Sequence, residues 1–227
     1  MKLKIPENLT QQAYRSIRDT IIWGKFDGRE HLTEEFFANR FGISKSPIRE
    51  ALNRLESEGL ITIIPRRGAF VTDFSVHDAE EIYELREALE VLAIRDVILN
   101  PKVMAQLRKS VRAAAAYRKE NDKLNYIRED AAFHSILAEA SSNTRLKKIL
   151  ENMHNQMLVL RCRTFDLTSH SSIQQHTAIM NALDKNQRGI AEQLMAEHIR
   201  TVRARLVDQL TKQNAPVASS GKKRSRK

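Results

Sequence analysis

The sequence predicts a mainly α-helical chain in two parts, a turn-rich N-terminal part ending in a β-hairpin and a C-terminal all-α bundle of six helices. Three observations carry this. Gly24, Gly28, Gly42, Gly59, Gly68, Pro47 and Pro65 all fall in the first third, and no glycine follows Gly68 until Gly189. Two short β-branched runs flank Pro65-Arg66-Arg67-Gly68. Beyond Ser75 the apolar residues recur at helical spacing. The expected boundaries are 1–74 and 75–212, with a basic, disordered tail over 213–227.

In the first part, Ala13, Ile17, Ile21 and Ile22 form a helical stripe over Thr10–Gly24. Thr33 caps a second helix, Thr33–Arg40, that offers Phe36, Phe37 and Phe41 to a core and stops at Gly42. Ser44-Lys45-Ser46-Pro47 opens a third helix, with serine caps and a proline in its first turn. It runs through Ile48, Ala51, Leu52 and Leu55 to Gly59. Ile61–Ile64 and Ala69–Thr72 then pair as the hairpin. Two helices about a tight glycine turn, followed by a hairpin, make a winged helix-turn-helix.

That arrangement presents Lys45, Ser46 and Arg49 at the start of the third helix, where a recognition helix meets base edges. An arginine fork can bridge guanine O6 and N7, while lysine and serine can contact bases or phosphates. Arg66, Arg67 and Gly68 form the hairpin tip, suited to a minor groove. The formal net charge of +10 adds less than it promises. Residues 1–74 and 75–211 carry +2 each, and the last 16 residues carry +6. Such a tail serves either sequence-independent attraction to nucleic acid or solubility.

The motifs Leu32-Thr33-Glu34-Glu35-Phe36-Phe37-Ala38, Phe41 through Leu52, Leu55-Glu56-Ser57-Glu58-Gly59-Leu60 and Arg66-Arg67-Gly68-Ala69-Phe70-Val71 closely resemble the GntR family of bacterial transcription regulators. The resemblance spans about residues 8–74. It departs at Lys45, where an arginine is more usual. It implies a double-stranded operator, and a helix-turn-helix dimer must match half-sites about one helical turn apart, hence a palindromic operator.

In the second part, helices are expected from Ser75-Val76-His77-Asp78, with Ile82, Leu85, Leu89, Leu92 and Ile94 inward, and from Asn100-Pro101. Four more cover about Asp122–Ala140, Thr144–Arg163, Ser171–Asp184 and Gln187–Lys212. Of the seven histidines, His31, His77, His154 and His170 read as surface or capping residues. Asp130 and His134 stack on one face with Ile127 and Leu137. His176 shares a face with Ile173, Met180 and Leu183, and His198 a ridge with Ile190, Leu194, Val202 and Leu206. Burying one unpaired polar group costs roughly 1–3 kcal/mol, so four on inward stripes call for a shared partner. A divalent transition metal (Zn, Ni, Mn, Co or Fe) suits imidazole and carboxylate ligands.

Asp130-x-x-x-His134, His176 and His198, with Glu84-Leu85-Arg86-Glu87-Ala88-Leu89-Glu90 and Glu197-His198-Ile199, resemble the metal-binding FCD effector domain of the FadR branch. Six helices would place it in the VanR-like subgroup. The resemblance implies a homodimer that binds small molecules, commonly organic acids. Arg86, expected on the inner face, would then either bind the far end of a carboxylate effector or pair with Glu90. Arg161 and Arg163 rank behind it.

Other classes are disfavoured. No apolar run nears the ~18–20 residues of a membrane helix, and the N-terminus lacks the apolar core of a signal peptide. A single cysteine, Cys162, excludes an internal disulfide, so a reducing, cytoplasmic setting is expected. An enzyme is not expected, because no further buried acid or base accompanies the quartet and a DNA-reading part precedes it. The alternative reading is a metal-responsive regulator in which the ion itself is the signal.

Overall fold

The computed structural model describes residues 8–23 and 29–214. Gly24, Gly28 and the basic tail beyond Asn214 lie outside the described residues. Helix α1 covers Leu9–Ile22, capped by the Asn8 side chain on the Gln11 amide. Helix α2 covers Glu34–Phe41, with Thr33 capping the Phe36 amide and Gly42 in the left-handed conformation that ends it. Helix α3 runs from Lys45 to Ser57.

Strands β2 (Ile61–Ile64) and β3 (Gly68–Val71) pair antiparallel with Ile61 opposite Val71 and Ile64 opposite Gly68. A two-residue strand, β1 (His31–Leu32), adds to β3, giving the order β1-β3-β2. Two residues are too short a segment for alternation to announce, and sequence reasoning missed it. Ile17, Phe37, Ile48, Leu55, Leu60 and Ile61 are almost wholly buried in one core beneath this wing. At roughly 1.5–3 kcal/mol per large apolar side chain, that burial holds the small unit together.

The helical part contains α4 (Val76–Asp96), α5 (Pro101–Lys119), α6 (Lys123–Ala140), α7 (Thr144–Asp184) and α8 (Arg188–Asn214). Ser75 and Asp78 close a capping box at α4, and Asn100 with Pro101 opens α5. The described residues thus form five helices here rather than six, because α7 is continuous for 41 residues. The expected break falls on residues 164–170, which include Thr164, Thr168 and Ser169. These are weak helix formers, yet the Thr164 and Thr168 hydroxyls donate to the Leu160 and Thr164 carbonyls one turn back. The helix-count argument for a VanR-like subgroup lapses with the sixth helix.

Two inward faces also differ from expectation. On α4 the buried line is Ala79, Tyr83, Arg86, Glu90, Ala93 and Ile94, while Leu85 is exposed. On α8 Ala191, Met195, His198, Ile199, Val202 and Leu206 are buried, and Ile190 faces solvent. Helix α7 links the two parts: its Val159 packs against the core of the winged unit and against two cores of the bundle. Among the described residues, no helix is long and apolar enough to cross a membrane.

Candidate functional site

The residues expected to face DNA lie at exposed positions of the winged unit. Lys45, Ser46 and Arg49 are all exposed in the first turns of α3. Arg49 donates from Nε and Nη2 to the two carboxylate oxygens of Glu34 at 2.7 and 2.8 Å. Lys45 Nζ lies 3.7 Å from Glu35. Both pairs are open to solvent, so either base can exchange its carboxylate for a phosphate or a base edge. Arg66 and Arg67 are exposed at the turn between β2 and β3, with Arg66 in the left-handed region at φ +63°. Gly68 has φ +98°, and a Cβ there would meet His31 Nε2 at 2.4 Å, so only glycine fits beneath the tip.

The structure brings the second constellation together from three helices. Asp130 and His134 come from α6, His176 from α7 and His198 from α8, and all four are buried. Ligand nitrogens of the three histidines lie within 4.8 Å of one another. Nε2 of His176 is 3.2 Å from Nε2 of His198 and 3.9 Å from Asp130 Oδ1. The other Asp130 oxygen lies 2.9 Å from Arg161 Nε. Phe133 stacks on the His176 ring at 4.1 Å between centroids and fixes its plane.

Outer partners set the tautomers. His134 Nδ1 contacts the Glu90 carboxylate, so that nitrogen carries the proton and Nε2 keeps its lone pair. His198 Nδ1 donates to Gln175 Oε1 at 2.9 Å, again leaving Nε2 as the acceptor. Burial, reinforced by neighbouring Arg86 and Arg161, lowers the His134 pKa well below its usual value. Burial does the same to His198 and brings His176 to about 4. Burial alone would raise the Asp130 carboxyl, but a proton on His176 in acid and the Arg161 guanidinium outweigh it and lower the pKa. At neutral pH the site therefore offers neutral imidazoles and a carboxylate, the protonation that metal ligation requires. Nitrogens bound to one ion at about 2.0–2.1 Å lie roughly 3–4 Å apart, so the three histidines fit a single ion after small adjustments.

Glu90 is the acid that sequence reasoning did not count. It is 3% exposed and bridges His134 and Arg86, whose Nε donates to it at 2.7 Å. The expectation that no further acid accompanies the quartet is thereby corrected. The i, i+4 spacing of Arg86 and Glu90 was the available signal, but the leucines beside them made the wrong face look inward. Arg86 does point inward, as expected, and its Nη2 donates to His134 Nε2 at 3.0 Å, a hydrogen bond that a metal on this nitrogen would have to displace. Burial alone would lower the Arg86 pKa, but the Glu90 charge outweighs it and raises it. Arg163 is half-buried beside Phe74 and Asp73, away from the centre.

Arg161, ranked low from sequence, is buried and pairs with Asp130. Arg161 also lines a cavity of about 460 Å³ together with His134, Glu90 and His154, and with Tyr14, Arg54 and Glu58 of the winged unit. His154, expected at the surface, is partly buried, and burial with nearby Arg161 and Arg18 lowers its pKa to about 4. His31 stacks on Phe70 in the sheet, and His77 and His170 pair locally with Glu81 and Gln174. Burial raises the Cys162 thiol to about 11, which leaves it protonated and unreactive.

Comparison with known proteins identifies the two parts of the chain. Residues 9–71 match the model of bacterial regulatory proteins of the gntR family, and residues 81–201 match the FCD domain. The HTH-type transcriptional regulator YdhC of Bacillus subtilis is 30% identical over 204 residues, covering 87% of this chain and 90% of its own. The HTH-type transcriptional repressor RspR of Escherichia coli is 26% identical, covering 94% and 95%. A GntR transcriptional regulator from Rhodococcus sp. RHA1 shares the fold with a TM-score of 0.77 at 20% identity, over 88% of this chain and 97% of its own. The chain belongs to the gntR family of bacterial regulatory proteins and is a DNA-binding transcription regulator with an FCD domain, not an enzyme.

Proposed function

We propose that this regulator holds a divalent transition metal on Asp130, His134, His176 and His198, and that a small carboxylate bound beside the metal changes its affinity for a palindromic operator. Residues 1–74 serve as the DNA-reading unit and residues 75–212 as the effector and dimerisation unit of a homodimer. Lys45, Ser46 and Arg49 read the major groove, and Arg66, Arg67 and Gly68 approach the minor groove.

The observation that carries the metal is the convergence of three buried imidazoles, with Asp130 3.9 Å from His176 beside them and the His134 and His198 tautomers set from outside. When bound, the ion would supply Lewis acidity toward an anionic ligand. The chain's own residues do the rest. Glu90 orients His134, Gln175 orients His198, and Phe133 holds the His176 ring. Arg86 lies at the His134 nitrogen and is the adjacent donor for an incoming carboxylate.

Charge supports an anion as the effector. Asp130 and Glu90 already balance Arg86 and Arg161 around neutral histidines, so a divalent cation leaves a positive excess in a buried centre. The test is metal analysis of purified protein together with operator binding, with and without small carboxylates. His134→Ala should lower metal content without unfolding the winged unit; unchanged metal stoichiometry refutes the ligand set.

One feature favours a second reading, in which the ion itself is the signal. Three imidazoles and a carboxylate are enough to close a tetrahedral site. In that case operator affinity follows free metal concentration and no carboxylate alters it.

A further inference from the structure

The winged unit is fastened to the bundle at two points along α1 and at one end of α3. Near the end of α1, Ile22 is 2% exposed and shares a core with Ala114 of α5, Ile127 of α6 and Leu158 of α7. The ring of the next residue, Trp23, lies 5.5 Å from the Arg128 guanidinium of α6. Tyr14, earlier on the same helix, accepts from the Asn155 amide of α7. Tyr14 and Ile22 are eight residues apart, which at 1.5 Å per residue is about 12 Å along the axis. Two anchors that far apart stop α1 from pivoting about either one.

The third anchor holds the recognition helix itself. Glu58 is the C-cap of α3. Its carboxylate accepts from Tyr14 at 2.8 and 2.9 Å, from Arg54 at 3.1 Å and, from α7, from Asn155 Nδ2. Gln156 Nε2 donates to the Glu58 carbonyl at 3.0 Å, satisfying an acceptor that the helix end leaves open. Gly59, at φ +70°, makes room for it, since a Cβ there would stand 2.1 Å from that nitrogen. Asn155 is buried, so its bonds are sheltered from competing water.

The opposite end of α3 is free, with Lys45 and Arg49 exposed. The helix is 13 residues long, about 20 Å from its gripped end to its reading end. A tilt of about 10° at the grip would carry Lys45 through roughly 3.5 Å, close to the 3.4 Å rise of one base pair. A recognition helix held more tightly than this fixes half-site spacing to a single base pair.

Resting on the reading of this chain as a homodimer on a palindromic operator, we propose that Asn155 and Gln156 are positioning residues that clamp α3 to the bundle and so determine which half-site spacing the regulator accepts. Both act at the end of α3 remote from Lys45 and Arg49, so they bear on where the helix is carried and not on which bases it reads.

The experiment uses full-length protein and an operator selected in vitro. Versions of that operator have one or two base pairs added or removed between the half-sites, and a further DNA carries a single half-site. Fluorescence anisotropy reads each affinity, and sedimentation reads the oligomeric state. The unsubstituted protein should lose at least about tenfold for a one-base-pair change, because each step alters the span and turns one half-site by about 35°. In Asn155→Ala combined with Gln156→Ala the penalty should shrink to less than about threefold, with single half-site affinity held within about twofold. Asn155→Asp alone should loosen the spacing likewise, because it sets a second carboxylate against Glu58. Adding Glu58→Gln should restore most of the penalty, because it reverses donor and acceptor across the same contact.

An unsubstituted protein that accepts the one-base-pair change within about twofold overturns the rigid mount. An alanine pair that keeps the full spacing penalty overturns the role of Asn155 and Gln156. So does one that loses as much affinity for the single half-site as for the operator, which would place these residues in the folding of α3. If the alanine pair fails to fold, failure of Glu58→Gln to restore discrimination in Asn155→Asp overturns the role instead. A monomer in sedimentation, or selection that returns a single half-site, defeats the homodimer reading itself and takes the inference with it.

Discussion

Two arginine–glutamate pairs divide this molecule. In the winged unit, Arg49 meets Glu34 at 2.7 Å with its side chain 63% exposed. In the helical unit, Arg86 meets Glu90 at the same 2.7 Å with its side chain 1% exposed. The geometry is alike and the energetics are opposite. Solvent screens the first pair, so it contributes little to stability and costs little to break. Water is absent around the second, so each charge depends on the other, and on His134, for its solvation. Distance alone does not separate a residue that recognises from one that supports; desolvation does.

The sharpest way to break the comparison is to remove one partner from each pair. Arg86→Ala leaves Glu90 buried without its counter-charge, and we expect a loss of about 3–5 kcal/mol in urea unfolding. The double variant Arg86→Met with Glu90→Leu should recover most of that loss, because it removes both charges from the core. It should nevertheless bind metal about 10–100-fold more weakly, since His134 loses the carboxylate that fixes its tautomer. Full metal affinity in the double variant would show that Glu90 serves packing alone.

The next effect is a pH dependence of the junction. His154 titrates at about 4 in the folded protein because of burial, and near 6.5 when unfolded. The folded state therefore resists a proton that the unfolded chain accepts. Its contribution is complete above about pH 6.5 and is lost as pH falls toward 4. At ~1.36 kcal/mol per pKa unit this amounts to roughly 3 kcal/mol. Urea midpoints across that window should fall less steeply in His154→Gln; identical slopes would remove His154 from the account.

The same contrast explains what the sequence discloses. Capping chemistry is local, so Thr33, Gly42, Ser75 and Pro101 mark their helix ends without tertiary information. The quartet is legible because histidines on apolar stripes are conspicuous and helical spacing sets their faces. What escaped depends on contacts made at a distance. The buried face of α4 carries Arg86 and Glu90 while Leu85 faces solvent, so hydrophobic periodicity points the wrong way. The pairing of Arg161 with Asp130 exists only once α6 and α7 pack. The continuity of α7 through Thr164–Ser172 rests on burial and back-bonding that override weak propensity. His154 looks like a surface residue until the winged unit is laid over it.

On the exposed side, Arg49→Ala should leave thermal unfolding nearly unchanged, because the pair it breaks is open to solvent. Specific operator binding should fall about 10–100-fold, with the loss concentrated at the base pair Arg49 reads. A variant that binds all sequences equally less well would mean that Arg49 contacts phosphate, and recognition would then rest with Lys45 and Ser46.

The smallest effect belongs to the wing, and it sharpens the same distinction within the DNA-reading unit. Arg67 is exposed at the hairpin tip, and its guanidinium is 6.0 Å from the Phe70 ring. A tip arginine gains affinity chiefly by neutralising a phosphate or the negative potential of a narrow minor groove. Arg67→Ala should therefore weaken specific and random DNA alike, and reduce the slope of log affinity against log salt by about 1. Arg67→Lys preserves the charge and should restore that slope, because counterion release counts charges rather than forks. If the lysine variant restores the slope but not the preference for the operator, Arg67 also reads groove width.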